Sequence, residues 1–356
     1  MNENSNEYRI LALGDLHFDG SAYHVREPAD EVQKRGRLRN FAMWNGPSQD
    51  LIADAAGHLD DSFPWVIQCG DISQGDGDTV ELQTAMISDS LTYLKRAFPE
   101  KKVLPVIGNH DLRLLDSYPR WNEYDENGDC TMSAGGEYRP ILKTVLPFIA
   151  REAGLPAVPH SADYVMKRGR DLYIFVDPFR PGGATEFIRR ALAETPDSRY
   201  VFVVSHLALF PCEPAKKWAA WILPDCRELA EMLAPRRAIL VSAHTHYLHM
   251  IRYRHPKGIL TQLVLSSMST NWKKTPLQMT TADYAAFARS MFPFLEVRPR
   301  DVFAPENYLE HRTWRCFNDG KPSSATGYAV LNIGDDAVTA DIYDGGRSPA
   351  FTLDLA

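Results

Sequence analysis

Short apolar runs punctuate this chain at residues 10–13, 65–69, 103–107, 172–176, 201–205 and 238–242, each rich in Val, Ile and Leu. Continuous rather than alternating hydrophobicity over such short spans is the pattern of strands buried on both faces. Amphipathic stretches lie between the runs. In 79–98, Val80, Ile87, Leu91, Leu94 and Phe98 recur at helical spacing, and Pro99 closes the pattern. Weaker helical patterns cover 49–60, 140–153, 184–194, 225–234 and 281–291. The tail changes character: GYAVLNIGDDAVTADIYDG reads as two strands around a GDD turn, and FTLDL as a third. ILTQLVLSS, at 259–267, is expected in the same second sheet as this tail. A two-sheet core with helices outside fits this order better than one doubly wound sheet.

Two stretches break the alternation. Residues 112–163 hold aromatics, Gly and acidic residues around a possible helix, and 268–326 read as an irregular aromatic-rich insertion. Long irregular segments in α/β enzymes serve as covers or binding loops. No internal repeat or low-complexity linker divides the chain, so residues 1–356 are expected to form one domain carrying insertions at 112–163 and 268–326.

Composition narrows the class. A net charge of −7 without a long basic run disfavours, without excluding, a protein built to grip nucleic acid. The five cysteines are scattered, with no CxxC spacing, which suggests neither a zinc-thiolate site nor a disulfide framework. The first residues show no basic segment followed by an apolar one, and no apolar stretch approaches the ~20 residues that cross a bilayer. The expectation is a cytoplasmic protein with no membrane partner, and the sequence leaves oligomeric state open.

The chemistry sits where the apolar runs end. RILALGDLH, WVIQCGDIS, KVLPVIGNHD, YVFVVSH and AILVSAHTH supply Asp15, His17, Asp71, Asn109, His110, His206, His244 and His246. A GD or an HxH arises easily by chance, but five such endings in one order do not serve packing. In βα units the chain leaves the strand at its carboxyl end, where ligands bind. Asp15 and His17, one residue apart, can turn to one side and share an ion. Asp71 has two oxygens and can bridge two cations. Asn109 offers a neutral carbonyl oxygen, and His206 and His244 offer imidazole nitrogens. His246 is near enough in sequence to turn back toward the first ion. Mixed oxygen and nitrogen donors without thiolate favour Mn, Fe or Zn in a catalytic rather than a structural role.

The ordered set DxH, GDxxxG, GNHD, a lone strand-end His and HxH resembles that of the calcineurin-like metallophosphoesterase superfamily, from Asp15 to His246. The resemblance implies a four-layer α/β/β/α sandwich of two mixed sheets flanked by helices, in agreement with the late strand pair at 327–343. It implies two divalent metal ions as cofactors. The first takes Asp15, His17, Asp71 and His246; the second takes Asp71, Asn109, His206 and His244. His110 becomes the phosphate-facing acid or charge stabiliser, with Asp111 orienting it. One departure is Ala243, where the family usually has Gly before HxH; a local backbone adjustment with intact ligation is expected there.

The implied activity is hydrolysis of a phosphoric ester by in-line attack of a hydroxide shared by two ions about 3.5–4 Å apart. The expected substrate is a small phosphorylated molecule, with a slight lean to a diester. The alternatives are a phosphomonoesterase, a nuclease, or a metal-binding protein without turnover. Other residues carry less. His249, three after His246, can approach the pocket but is expected rather as a surface loop residue, and His24, His58, His160, His255 and His311 in surface or packing roles. The Arg-rich segment 35–47 reads as an amphipathic surface stretch, with substrate contact by its arginines as the other option. Trp121, Tyr124, Trp272, Phe292, Phe294 and Trp314 read equally well as a substrate rim or as the insertions' own core.

Overall fold

The structure is a computed structural model that describes residues 7–115, 136–179, 184–210, 222–223, 225–246, 248–269, 273–277, 308–317 and 327–356. The apolar runs form the central strands of two sheets. In the first, β1 (Tyr8–Leu13), β2 (Trp65–Cys69) and β3 (Lys102–Val106) run parallel. In the second, β5 (Asp171–Val176), β6 (Val201–Ser205) and β7 (Ala238–Ser242) do the same. Every residue of β2, β5, β6 and β7 is buried, which explains why they are apolar apart from Gln68 and the terminal Asp171, Ser205 and Ser242.

Antiparallel strands complete both sheets and make them mixed. The tail supplies β12 (Tyr328–Ile333), β13 (Val338–Tyr343) and β14 (Phe351–Asp354), and β12 docks on β1 with Leu11 opposite Val330. The first sheet thus reads β14-β13-β12-β1-β2-β3. The second gains β4 (Tyr164–Arg168), β8 (Leu248–His255), β9 (Gly258–Val264), β10 (Lys273–Leu277) and β11 (Tyr308–Phe317). Its order is β10-β11-β8-β9-β7-β6-β5-β4.

This order corrects one expectation. ILTQLVLSS does not join the tail: β9 lies in the second sheet, parallel to β7 and antiparallel to β8, whereas the tail strands lie in the first. Local periodicity marks a strand but not its partner, which is set by register against a distant neighbour.

The sheets pack face to face. Trp65 of β2 meets Tyr173 of β5 edge-on at 5.3 Å, and the Tyr8 and Tyr173 hydroxyls lie 2.7 Å apart. Tyr164 of β4 donates to the Pro105 carbonyl of β3 at 2.9 Å. One contiguous apolar cluster joins both inner faces.

Helices cover the outer faces and give the four layers. α3 (Val80–Ala97) begins at Thr79, whose hydroxyl accepts from Leu82 N at 3.2 Å, and buries Met86, Ile87, Leu91 and Leu94. The stretch expected as one helix at 140–153 is two, α4 (Arg139–Lys143) and α5 (Val145–Ala153), broken at Thr144 (φ −123°, ψ −63°). α5 packs on β3, and α6 (Ala184–Ala193) packs on β5. The segment 35–47 falls in α1 (Glu31–Met43) and the π-turn after it; its Arg37 donates to the Arg26 carbonyl and reaches Asp78 at 3.3 Å. α2 (Gln49–Gly57) and α7 (Cys226–Leu233) match the remaining helical patterns, while the pattern at 281–291 lies outside the described residues. Among the described residues no helix is long and apolar enough to cross a membrane.

Candidate metal centre

Five loops leave the carboxyl ends of β1, β2, β3, β6 and β7 and converge. Asp15 and His17 follow β1, Asp71 follows β2, Asn109 and His110 follow β3, His206 follows β6, and His244 and His246 follow β7. Candidate ligand atoms of Asp15, His17, Asp71 and His246 lie within 4.8 Å of one another, and so do those of Asp71, His206 and His244. Asn109 joins the second group: its Oδ1 lies 2.9 Å from His206 Nε2 and 2.8 Å from His244 Nδ1. In the first group His17 Nε2 and His246 Nε2 are 3.0 Å apart. Ligands sharing an ion at about 2.0–2.2 Å necessarily sit about 3 Å from each other, so these spacings suit a cation.

Asp71 belongs to both groups. Its Oδ1 is 3.5 Å from His206 Nε2, and its Oδ2 is 3.8 Å from His17 Nε2. The backbone holds it there, since Asp71 O accepts from Leu16 N and His17 N, each at 2.9 Å, and Asp71 Oδ1 accepts from His110 N at 2.8 Å. His206 Nδ1 bonds the Cys69 carbonyl at 2.9 Å, which places the proton on Nδ1 and leaves Nε2 free of one.

The backbone is strained where these side chains are placed. His17 (φ 51°), Asp71 (φ 50°), His244 (φ 72°) and His246 (φ 59°) all occupy the left-handed region, which non-glycine residues resist. Ala243 does not have positive φ, so its methyl needs no backbone adjustment; the unusual angles fall on the histidines after it. Gly108 admits no side chain, because a Cβ would lie 2.1 Å from Asp71 N and 2.2 Å from Asp71 Oδ1. Gly14 has the same role against Ser266 O, also at 2.1 Å.

Charge completes the test of fit. Asp15 and Asp71 are buried, and among the described residues no Lys or Arg forms an ion pair with either. Burial raises the Asp15 carboxyl to about 8 and pushes Asp71 well above the ordinary carboxylate range, with Asp111 adding to the latter. Burial also holds His17 and His206 below the usual imidazole value, so both present neutral nitrogens. Among the described residues Asp15 Oδ2 and His17 Nδ1 are buried without a hydrogen-bond partner. Buried acids without a Lys or Arg ion-pair partner among the described residues, beside neutral imidazoles, form a donor set that divalent ions complete.

His110 lies against this cluster, its ring edge-on to His17 at 4.6 Å. Its surroundings differ from expectation. Asp111 does not orient the ring: its carboxylate accepts from Ser73 N, Gly108 N and Ile72 N at 2.8, 2.8 and 3.2 Å, tying the β2 and β3 loops together. The ring is held by the Gln74 carbonyl, 2.5 Å from Nδ1, and by Arg113, whose Nη1 lies 2.8 Å from Nε2. His249 is a second correction. It is fully buried in β8 rather than on a surface loop, because the chain after HTH enters a strand directly.

The pattern of strand ends does not disclose Gln74, Asp76 or Arg113, nor the strut at 267–268. There Ser267 Oγ and Met268 N donate to the Asp15 carbonyl at 3.1 and 2.8 Å. The Arg two residues beyond the GNH triplet's His-Asp was the one available signal. Of the aromatic residues considered for a rim, Trp121, Tyr124, Trp272, Phe292 and Phe294 lie outside the described residues, and Trp314 lies in β11.

Comparison with known proteins agrees with this geometry. A sequence model of calcineurin-like phosphoesterases matches residues 8–248. No curated protein matches the chain by sequence. Among solved structures, the purple acid phosphatase PPD1 from yellow lupin (Lupinus luteus) seeds is similar with a TM-score of 0.55 at 12% identity, over 99% of this chain and 54% of that one. GAP50, the anchor in the inner membrane complex of Plasmodium, gives 0.48 at 10% identity, over 98% and 88%. The lupin likeness shows the fold, and this chain spans about half of that protein's length.

Proposed function

Because this chain belongs to the calcineurin-like phosphoesterase family, we propose that it hydrolyses a small phosphate ester with the help of two divalent ions. Asp15, His17, Asp71 and His246 would hold one ion, and Asp71, Asn109, His206 and His244 the other. The observation that carries the reading is Asp71, whose two oxygens face imidazoles of different groups. When bound, the ions supply Lewis-acid charge at the phosphoryl oxygens and a water acidic enough to attack near neutral pH.

The protein's own residues set the rest. Two carboxylates against two divalent charges leave a pocket of net positive sign, suited to a phosphate anion. Neutral imidazoles and the Asn109 amide add donor atoms without cancelling that charge. The His110 ring stabilises or protonates the leaving oxygen. The oxygen and nitrogen donor set favours Mn, Fe or Zn. The reading leans slightly to a diester over a monoester, on the resemblance of the motif set to compact cytoplasmic members of the superfamily.

The test is turnover of bis(p-nitrophenyl) phosphate and p-nitrophenyl phosphate by protein saturated with Mn²⁺, Fe²⁺ or Zn²⁺. Activity on at least one, abolished by chelation and higher on the diester, is expected. Metal-saturated protein inert toward both would contradict the reading and favour a binding role without turnover.

A further inference from the structure

Arg113 is fixed with little freedom. Its Nε and Nη2 donate to Asp76 Oδ1 and Oδ2 at 3.1 and 2.6 Å, a bidentate pair that sets the plane of the guanidinium. The third nitrogen, Nη1, lies 2.8 Å from His110 Nε2 and 3.0 Å from Nδ1, against the ring rather than at one lone pair. Across from it, the Gln74 carbonyl lies 2.5 Å from Nδ1. Asp76 itself stands at φ 62°, next to Gly75 at φ 75°, where a Cβ would come 2.4 Å from His110 O. The turn that carries Asp76 is therefore fitted around His110. Arg113 is nearly buried, so the pair is shielded from solvent and from salt.

We propose that the Asp76–Arg113 pair is a positioning device for His110: it holds the ring's rotation so that Nδ1–H stays on the Gln74 carbonyl. The inference rests on the role given to His110 in the proposed phosphoesterase reaction, and it assigns to two unexpected residues the orienting task expected of Asp111. A carboxylate bonded to the ring would supply charge along with orientation. The guanidinium, anchored by Asp76, supplies orientation alone.

Two measurements test it. The first is independent of turnover: long-range ¹H–¹⁵N correlation spectra of histidine-labelled protein, with His110 assigned by its loss in His110→Ala. Wild type should show one Nδ1–H tautomer, Arg113→Ala and Asp76→Asn a mixture, and Arg113→Lys an intermediate state. An unchanged single tautomer in Arg113→Ala would overturn the proposal. The second is kinetic. Arg113→Ala should keep both metal ions and its KM while losing kcat by about 10- to 100-fold, the usual effect of a group supporting a site residue. The loss should be larger for an alkyl ester than for a p-nitrophenyl ester and should be partly restored by added guanidinium. A rise in KM alone, or an equal loss for both leaving groups, would make Arg113 a substrate contact instead. If wild type turns over no phosphate ester, the proposed function fails, and the spectra alone decide the positioning role.

Discussion

The two ligand groups that share Asp71 are built differently. Around Asn109, His206 and His244 all three side chains are buried, and the Cys69 carbonyl of β2, in the other sheet, dictates which His206 nitrogen carries the proton. Around Asp15 and His17 the fourth member, His246, keeps 28% of its side chain exposed. The contrast teaches that one group is buried throughout while the other has one member open to solvent. The sealed group should hold its ion tightly and exchange it slowly. The open group should be weaker, and it is also the one whose His17 touches the His110 ring.

The strongest way to break this comparison is to remove what the two groups share. Asp71→Asn should lose both ions by elemental analysis and lower kcat/KM by about 10³-fold or more, since several kcal/mol of charge stabilisation vanish together. Retention of either ion at wild-type affinity would contradict a bridging role. A sharper cut separates the groups. His246→Ala should lose only the weaker ion and regain activity at high Mn²⁺, whereas His206→Ala should lose the tighter ion and fail to recover under the same titration. Equal behaviour would erase the difference between sealed and open sites. His110→Ala should leave metal content intact and lower kcat by about 10²-fold. Metal loss equal to that of Asp71→Asn would move His110 into the ligand set.

The smallest effect is on stability against pH. Asp15 is raised to about 8 and Asp71 well above its ordinary value, so in metal-free protein the native state holds protons that the unfolded chain releases. That contribution is full in acid and is lost as pH rises toward the native pKa. His17 and His206 are shifted downward and act in the opposite sense, but only below the ordinary imidazole value of 6.5. Between pH 6.5 and 8 the carboxyls act alone, and the melting temperature of metal-free protein should fall. Saturating Mn²⁺ should flatten or reverse that slope in a thermal shift series, because the ions keep both carboxylates charged.

How much the sequence discloses differs between the ligands and their supports. The proposed ligands follow short, largely apolar runs, so Asp15, Asp71 and His206 announce both strand and chemistry within nine residues or fewer of local pattern. The supports carry no such mark. Arg113 reaches His110 only because Asp76, on another loop, turns its guanidinium. Ser267 reaches Asp15 only because β9 lies beside β7, a pairing that periodicity does not encode. β8 escapes notice for a related reason: LHMIRYRH mixes charge into a strand, hiding that His249 faces the interior. Contacts set by chain topology become visible only once the sheets are assembled.

The most direct test of the two-ion account is anomalous scattering from crystals of Mn²⁺-saturated protein. It should give two adjacent peaks, one among Asp15, His17, Asp71 and His246, the other among Asp71, Asn109, His206 and His244. A single peak, or peaks away from Asp71, would contradict the account.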